Sequence, residues 1–456
     1  MAVFSTALAE GPLRIATFNV DATPPLGSPC AYMPAERILD PLSARGIVIL
    51  SDEAPIVLCA VDWIGIGNAA HDAWREALAD AAGTDIHHVS VHVLHQHDAP
   101  TCDLSAEALL AEQGLGGKMF DMTFARRTID SVAAAIREAV SAPVEISHIG
   151  LGQAEVEKVA SNRRILGPDG KVQYVRFSSC TNPDAVAAPE GVIDPNVKLI
   201  AFYDGDRPVA SLTYYATHPQ SYYREGDVSA DFVGMARAIR ESDVPEVTHV
   251  HFNGASGNVA AGKYNDGSHE NRPVLAGRLA EGMRKAWDNI RKTPVTAEDV
   301  AWEVLPVAIP PRDTLMEDEL RALLEDKEAN EGERVRAARD LSFLTRANGG
   351  QKIELSCLSL GDARVLHMPG ELFIEYQLAA QAMQPEQFVC MAAYGDYGPG
   401  YIGTSISYGQ GGYETSRVSR TAPEVEGVLT EGIAELLGVK GSLKDAPATQ
   451  VPSLIK

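Results

Sequence analysis

Residues 88–98 run His-Val-Ser-Val-His-Val-Leu-His-Gln-His-Asp. Their first half is a short apolar run between turn residues, which predicts a strand over 88–94. His92 falls inside that strand and is read as a packing residue. His95 and His97 form an HxH pair where the strand ends, projecting two imidazoles towards the same side, with Asp98 placed to orient one of them. A satisfied structural histidine pair would give the same pattern.

Outward from this stretch, strand-like and helix-like segments alternate. Strands are predicted over 13–20, 46–50, 56–61, 247–252, 364–367 and 388–392, with a hairpin of 197–203 and 209–215 around Asp204-Gly205-Asp206. Helices are predicted over 69–81, 120–140, 232–239, 278–290, 372–383 and 425–437. The pattern is α/β: a mixed β-sheet core flanked by helices on both faces. No internal repeat or linker is visible, so one large domain is expected over 12–440, after an extension at 1–11 and before a polar tail at 441–456. Residues 313–347 carry dense charges of both signs and are read as a solvated helical excursion, with a partner-binding helix as the alternative.

The chain has 456 residues, 45% of them hydrophobic and 22% charged, which suits a globular protein with a substantial core. Its formal net charge of −23 argues against nucleic acid or an anionic membrane as a partner. There is no run of about 18 apolar residues that would span a bilayer. The six cysteines (Cys30, Cys59, Cys102, Cys180, Cys357 and Cys390) are scattered without a CxxC pair, which argues against a disulfide scaffold or a cysteine zinc site. The opening Met-Ala-Val-Phe-Ser-Thr-Ala-Leu-Ala-Glu-Gly lacks basic residues, and its apolar run is too short for a leader. A cytoplasmic location is expected, the alternative being a secreted or periplasmic protein with its leader removed. The oligomeric state is not legible.

Three further places put polar residues just after a predicted strand. Tyr214-Tyr215-Ala216-Thr217-His218-Pro219-Gln220 brings a histidine to a strand end, although a lone histidine there is more often structural. In His367-Met368-Pro369-Gly370-Glu371 the glutamate is either functional or a first-turn residue favoured by the helix dipole. Gly400-Tyr401-Ile402-Gly403-Thr404, with Tyr408 and Tyr413-Glu414-Thr415, lies in a Gly- and Tyr-rich segment that is either a ligand loop or an ordered surface loop. All four places sit at carboxyl ends of strands, where α/β sheets build their sites. Two histidines and a carboxylate with an open position suit a catalytic zinc.

His95-Gln96-His97, Ala216-Thr217-His218, Pro369-Gly370-Glu371 and Tyr401-Ile402-Gly403-Thr404 with Tyr413-Glu414 downstream resemble, in order, the motifs of the neutral (non-lysosomal) ceramidases. Asn162-Arg163, ahead of Ile193-Asp194-Pro195-Asn196, adds to the resemblance, which spans about residues 12–438. It implies a ceramidase-like catalytic fold and zinc held by His95, His218, Glu371 and Tyr401. It also implies hydrolysis of a non-peptide amide by zinc-activated water. Arg163 would contact the carbonyl or oxyanion, and His97 would protonate the leaving amine, with Asp98 beside it. Asn162, Ser256, Asn258, Tyr408 and Tyr413 would lie on the substrate side.

Two departures qualify this expectation. The family's Gly-Asp-Val-Ser-Pro-Asn stretch is here Gly257-Asn258-Val259-Ala260-Ala261-Gly262, so alanine replaces a serine given a catalytic role there. Ser256 is four residues away, which disfavours it as a substitute and a serine nucleophile with it. No counterpart of the family's C-terminal immunoglobulin-like domain is recognised, nor any basic or amphipathic anchor for reaching ceramide in a membrane. A small or amphiphilic amide is therefore expected as the partner, rather than ceramide. The alternatives are a metal-dependent esterase or lactonase, a zinc-dependent lyase or isomerase, and a non-catalytic metal-containing binding protein. An amidohydrolase barrel is disfavoured because several strands precede His95.

Overall fold

In the computed structural model, which describes residues 11–439, the longest apolar segments become strands and the amphipathic ones become helices. The readings for 1–11 and 441–456 fall, but for Gly11, outside the described residues. The α/β class holds, with mixed sheets flanked by helices. The mixed β-sheet core comprises, among the described residues, three large sheets and five two-stranded ones.

The first sheet orders Val89–Val93, Ile56–Val61, Ser43–Leu50, Arg14–Asp21 and Val144–Glu145. The second orders Thr248–Asn253, Arg207–Tyr215, Asn196–Asp204, His148–Glu155 and Arg291–Pro294. The third orders Val300–Val307, Ile353–Leu360, Ala363–His367 and Phe388–Ala392. Each sheet is antiparallel except for one parallel pair at its edge: Ile56–Val61 with Val89–Val93, Arg207–Tyr215 with Thr248–Asn253, and Ala363–His367 with Phe388–Ala392. The strand Ile56–Val61, flanked on both sides by neighbours, is buried along its whole length, as a near-continuous apolar run demands.

One face of every sheet turns inward to a shared core. Ile47 and Leu58 from the first sheet meet Phe202 and Leu212 from the second and Leu358 and Val365 from the third. Helices cover the outer faces. Ala69–Ala82 and Met122–Val140 pack Trp74, Leu78, Val132 and Ile136 on the first sheet. Asp231–Asp243 and Asn271–Asp288 pack Phe232, Leu275 and Leu279 on the second.

The parallel pairs are stitched at their carboxyl ends. The Val93 amide donates to the Tyr394 carbonyl at 3.0 Å, Ala393 to Asn253 at 2.9 Å, and Gly254 to Tyr215 at 2.9 Å. Three sheets thus deliver their carboxyl ends to one region, each exit loop fixed by the backbone of another.

The charged segment 313–347 departs from its reading as a solvated excursion. It forms helices Glu317–Glu325 and Glu331–Asn348, and the second buries Ala337, Ala338, Leu341 and Leu344. The 337, 341, 344 spacing is a helical stripe that the surrounding charges mask. All six cysteines are unpaired. No helix among the described residues is long and apolar enough to cross a membrane.

Leu212 is fully buried where the three sheets meet. Leu212→Ala is expected to lower stability by about 2–5 kcal/mol, read as a shift of the urea midpoint.

Candidate metal centre

His95 leaves the strand Val89–Val93 with its own φ at 70°, a left-handed conformation rare outside glycine. Its Nδ1 lies 2.6 Å from the Ile64 carbonyl, so Nδ1 carries the proton and Nε2 is a bare lone pair. His218 follows Arg207–Tyr215, its amide donating to the Val259 carbonyl at 2.9 Å. Its Nδ1 donates to the Ser256 carbonyl at 2.8 Å, leaving Nε2 equally bare. Glu371 is not a helix first-turn residue. It opens the short strand Glu371–Leu372, paired in parallel with Tyr401–Ile402, and the next helix begins at Ile374. Glu371 and Tyr401 are direct partners in that pairing, so one ladder places both.

These side chains converge. Glu371 Oε2 lies 3.2 Å from His95 Nε2 and 3.3 Å from His218 Nε2, yet hydrogen-bonds to neither. The Tyr401 hydroxyl is 3.2 Å from His218 Nε2, and His97 Nε2 is 3.4 Å from His95 Nε2. His95, His97 and His218 together form a group able to hold a metal ion. Two imidazole lone pairs and a carboxylate oxygen facing each other without a proton between them repel, and a cation removes the repulsion. Tetrahedral zinc with bonds of about 2.0–2.1 Å separates its ligand atoms by about 3.3–3.4 Å. The observed spacings fit that requirement.

The shell behind the donors is well defined. Tyr397 donates its hydroxyl to Glu371 Oε1 at 2.7 Å, and the Tyr394 ring stacks on His95 at 4.6 Å. Burial draws His218 down to about 4 and takes His97 well below the ordinary histidine value, so both rings are neutral at pH 7. Arg163 donates to the Tyr401 hydroxyl at 3.1 Å and pairs with the fully buried Glu414 at 3.2 Å. Burial opposes the Arg163 charge, while Tyr401 and Glu414 more than restore it.

The cluster forms the floor of a cavity of about 1010 Å³. His97 stacks on Tyr32 in the wall at 5.3 Å. Tyr413 packs edge-on to Tyr401 at 5.7 Å and, with Phe177, frames the opening on the Arg163 side.

Several expected residues lie elsewhere. Asp98 contacts no site histidine. It accepts from the Arg224 amide at 3.2 Å and faces Arg272, so backbone carbonyls orient His95 and His218 instead. Asn162 bonds the Val192 carbonyl and the Arg164 amide, which pins its own loop. Asn258 accepts from the Ile374 amide and donates to Glu375, closing the start of the helix Ile374–Met383. Tyr408 is tied to Thr421 at 2.6 Å, away from the cavity wall. Ser256 is fully buried, hydrogen-bonds Tyr394 at 2.7 Å and does not line the cavity. His92 is buried within its strand, as read. Tyr397, Tyr394 and Glu414 went unassigned, although all three lie in or beside the Gly- and Tyr-rich segment already singled out.

No protein-family model matches the sequence, and no curated protein sequence matches it either. Among solved structures the chain is similar to a ceramidase complexed with C2 and to a neutral ceramidase from Pseudomonas aeruginosa. Both superpose with a TM-score of 0.67 at 15% identity over 97% of this chain, covering 78% and 77% of theirs. The fold is ceramidase-like. Within this ceramidase-like fold, the site lies where the carboxyl ends of the three parallel pairs meet.

A Cβ on Gly257 would lie 2.3 Å from the Glu371 carbonyl oxygen, so only glycine lets the two segments approach. Gly257→Ala is therefore expected to displace Glu371 and lower bound metal, measured by plasma mass spectrometry after dialysis. Tyr397→Phe, which removes one oriented hydrogen bond, should weaken metal affinity about 10–100-fold. Asn258→Ala should lower the melting temperature and leave metal affinity unchanged.

Proposed function

We propose that this chain is a metal-dependent hydrolase of a carbon–nitrogen bond in a small or amphiphilic non-peptide amide. The observation that carries the reading is the convergence of three donor atoms, His95 Nε2, His218 Nε2 and Glu371 Oε2, at the floor of a cavity sized for an organic ligand. The likeness to ceramidase structures supports it at the level of the fold.

His95, His218, Glu371 and Tyr401 hold the ion, zinc by the chemistry of the donor set. The two histidines have tautomers locked by carbonyls and the glutamate is fixed by Tyr397, the arrangement that outer-shell partners give to metal ligands. When bound, zinc supplies charge that polarises a carbonyl and makes water acidic at neutral pH.

His97 differs from the other two histidines. Its Nδ1 has no partner, and its ring lies against Tyr32 in the cavity wall, so no carbonyl fixes its tautomer. Being neutral at rest, it is a base before it is an acid. It takes a proton from the water that adds to the amide carbon, then gives that proton to the departing nitrogen as the carbon–nitrogen bond breaks. Arg163 sits beside Tyr401 with its charge preserved, and its donors offset the negative charge that grows on the carbonyl oxygen. Tyr413 and Phe177 supply apolar surface for the substrate near the cavity mouth. Among the described residues no serine lines this space, which disfavours a serine nucleophile and favours water.

Ester hydrolysis is the second reading, since the same groups act on either carbonyl. His97→Ala is expected to cut amide turnover about 10²- to 10⁴-fold while bound metal is retained. Turnover of an ester with a good leaving group should fall much less, because that leaving group needs no proton. A panel of N-acyl amides and matched esters, assayed with and without a chelator, decides between the two. Full amide turnover by metal-free protein would overturn the proposal.

A further inference from the structure

The chain as a whole carries a net charge of −23, yet the wall of the site cavity is cationic. Arg224, Arg336, Arg339 and Arg417 all line it, and none forms an ion pair with a carboxylate among the described residues. Arg224 lies over the rings of Tyr32 and Tyr223, at 4.8 and 5.0 Å, and Arg339 over Tyr397 at 5.5 Å. Arg336 and Arg339 stand three residues apart on the helix Glu331–Asn348, so they share one face, and Arg417 reaches the same wall from the loop after Tyr413. The carboxylates in the wall do not neutralise them. Glu331 is 3.3 Å from Lys118, and Glu371 belongs to the metal cluster.

None of the four guanidinium groups is ion-paired, although Asp103 and Asp340 support the Arg339 charge, and an acidic chain has carboxylates to spare for pairing them. Their planar forks match the two oxygens of a carboxylate, sulfonate or phosphate. The same wall carries Met33, Val335 and Phe177, so it also offers apolar contact.

We infer that the substrate is an amide bearing an anionic group, which Arg336, Arg339 and Arg417 hold while the amide lies at the metal cluster. Arg224, backed by its two tyrosines, adds to the positive field on the far side. This inference rests on the hydrolase reading for its amide and on the cavity wall alone for its charge.

Two measurements on the metal-loaded protein keep these apart. The first compares kcat/KM, by release of primary amine, in two pairs of amides. N-octanoyltaurine against N-octanoylethanolamine puts the anion on the amine side. The mono-N-ethylamide of adipic acid against N-ethylhexanamide puts it on the acyl side. At least a tenfold preference for the anionic member is expected in one pair, falling towards unity in Arg336→Gln and Arg417→Gln, mainly through KM, and in 0.5 M sodium chloride. The second is calorimetric binding of naphthalene-2-sulfonate against 2-naphthalenemethanol. The sulfonate should bind at least tenfold more tightly, and either substitution should erase the difference. Circular dichroism confirms that the two variants fold, and their separate locations make a shared folding defect a poor explanation of a shared result. Cleavage of neutral and anionic amides alike, with no preference for the sulfonate, overturns the anionic substrate and leaves the hydrolase reading standing. Arginine-dependent sulfonate binding with no amide cleaved supports the anion site and overturns the hydrolase.

Discussion

Two hydrogen bonds to backbone carbonyls, from His95 to Ile64 and from His218 to Ser256, set the chemistry of this protein. Each places the ring proton on Nδ1 and aims a lone pair inward. With Glu371 Oε2 aimed at the same point, the chain has buried three electron-pair donors facing each other in a region from which water is largely excluded. A buried carboxylate is expensive, and protonating His218 at Nε2 is opposed by burial and by the Arg163 charge. A divalent cation satisfies all three donors at once, so the arrangement is best understood as organised around one.

The fold delivers this convergence through its parallel pairs. An antiparallel pair brings opposite ends of its strands together, whereas a parallel pair brings two carboxyl ends to the same edge. Each of the three sheets has one such pair, and the amide of one exit loop is satisfied by a carbonyl of another. His95, His218 and Glu371 therefore follow strands of three different sheets yet share one backbone network. The approach is close enough that Gly257 tolerates no side chain against Glu371.

The strand-exit residues His95, His97, His218 and Glu371 are legible from residue type and position, whereas Arg163 and the ligand role of Tyr401 come only with the family resemblance. His95, His97, His218, Glu371, Tyr401, Arg163 and Tyr413 all reach the same cavity or its floor. Asn162, Asn258 and Tyr408 were legible only as polar residues near the right motifs. Short amides and hydroxyls in loops bond local backbone as readily as they bond ligands, and Asn258, which holds the helix start at Ile374, illustrates that ambiguity. Asp98 failed for a related reason: adjacency in sequence suggested a carboxylate partner for histidine, whereas a backbone carbonyl does that work. Alternation of strands and helices fixes the α/β class without fixing how the strands divide among sheets. The cationic wall was invisible for a different reason. Its arginines are scattered over almost two hundred residues of an acidic chain, and only folding brings them to one side.

The helix Glu331–Asn348 joins these two levels of organisation. Its apolar stripe, masked in sequence by charge, anchors it to the core through Ala337, Ala338 and Leu341. Asp340, one residue beyond Arg339, pairs at 2.6 Å with Arg420, which in turn donates to the Gly398 carbonyl at 3.0 Å. The wall that carries Arg336 and Arg339 is thereby tied to the segment that positions Tyr397 and Tyr401. On the proposed reading, charge recognition and metal binding rest on one connected unit, so a substrate anchored by its charge would meet the cluster at a fixed separation. Orientation, which a floppy insertion would surrender, is kept by a buried ion pair that touches neither substrate nor metal.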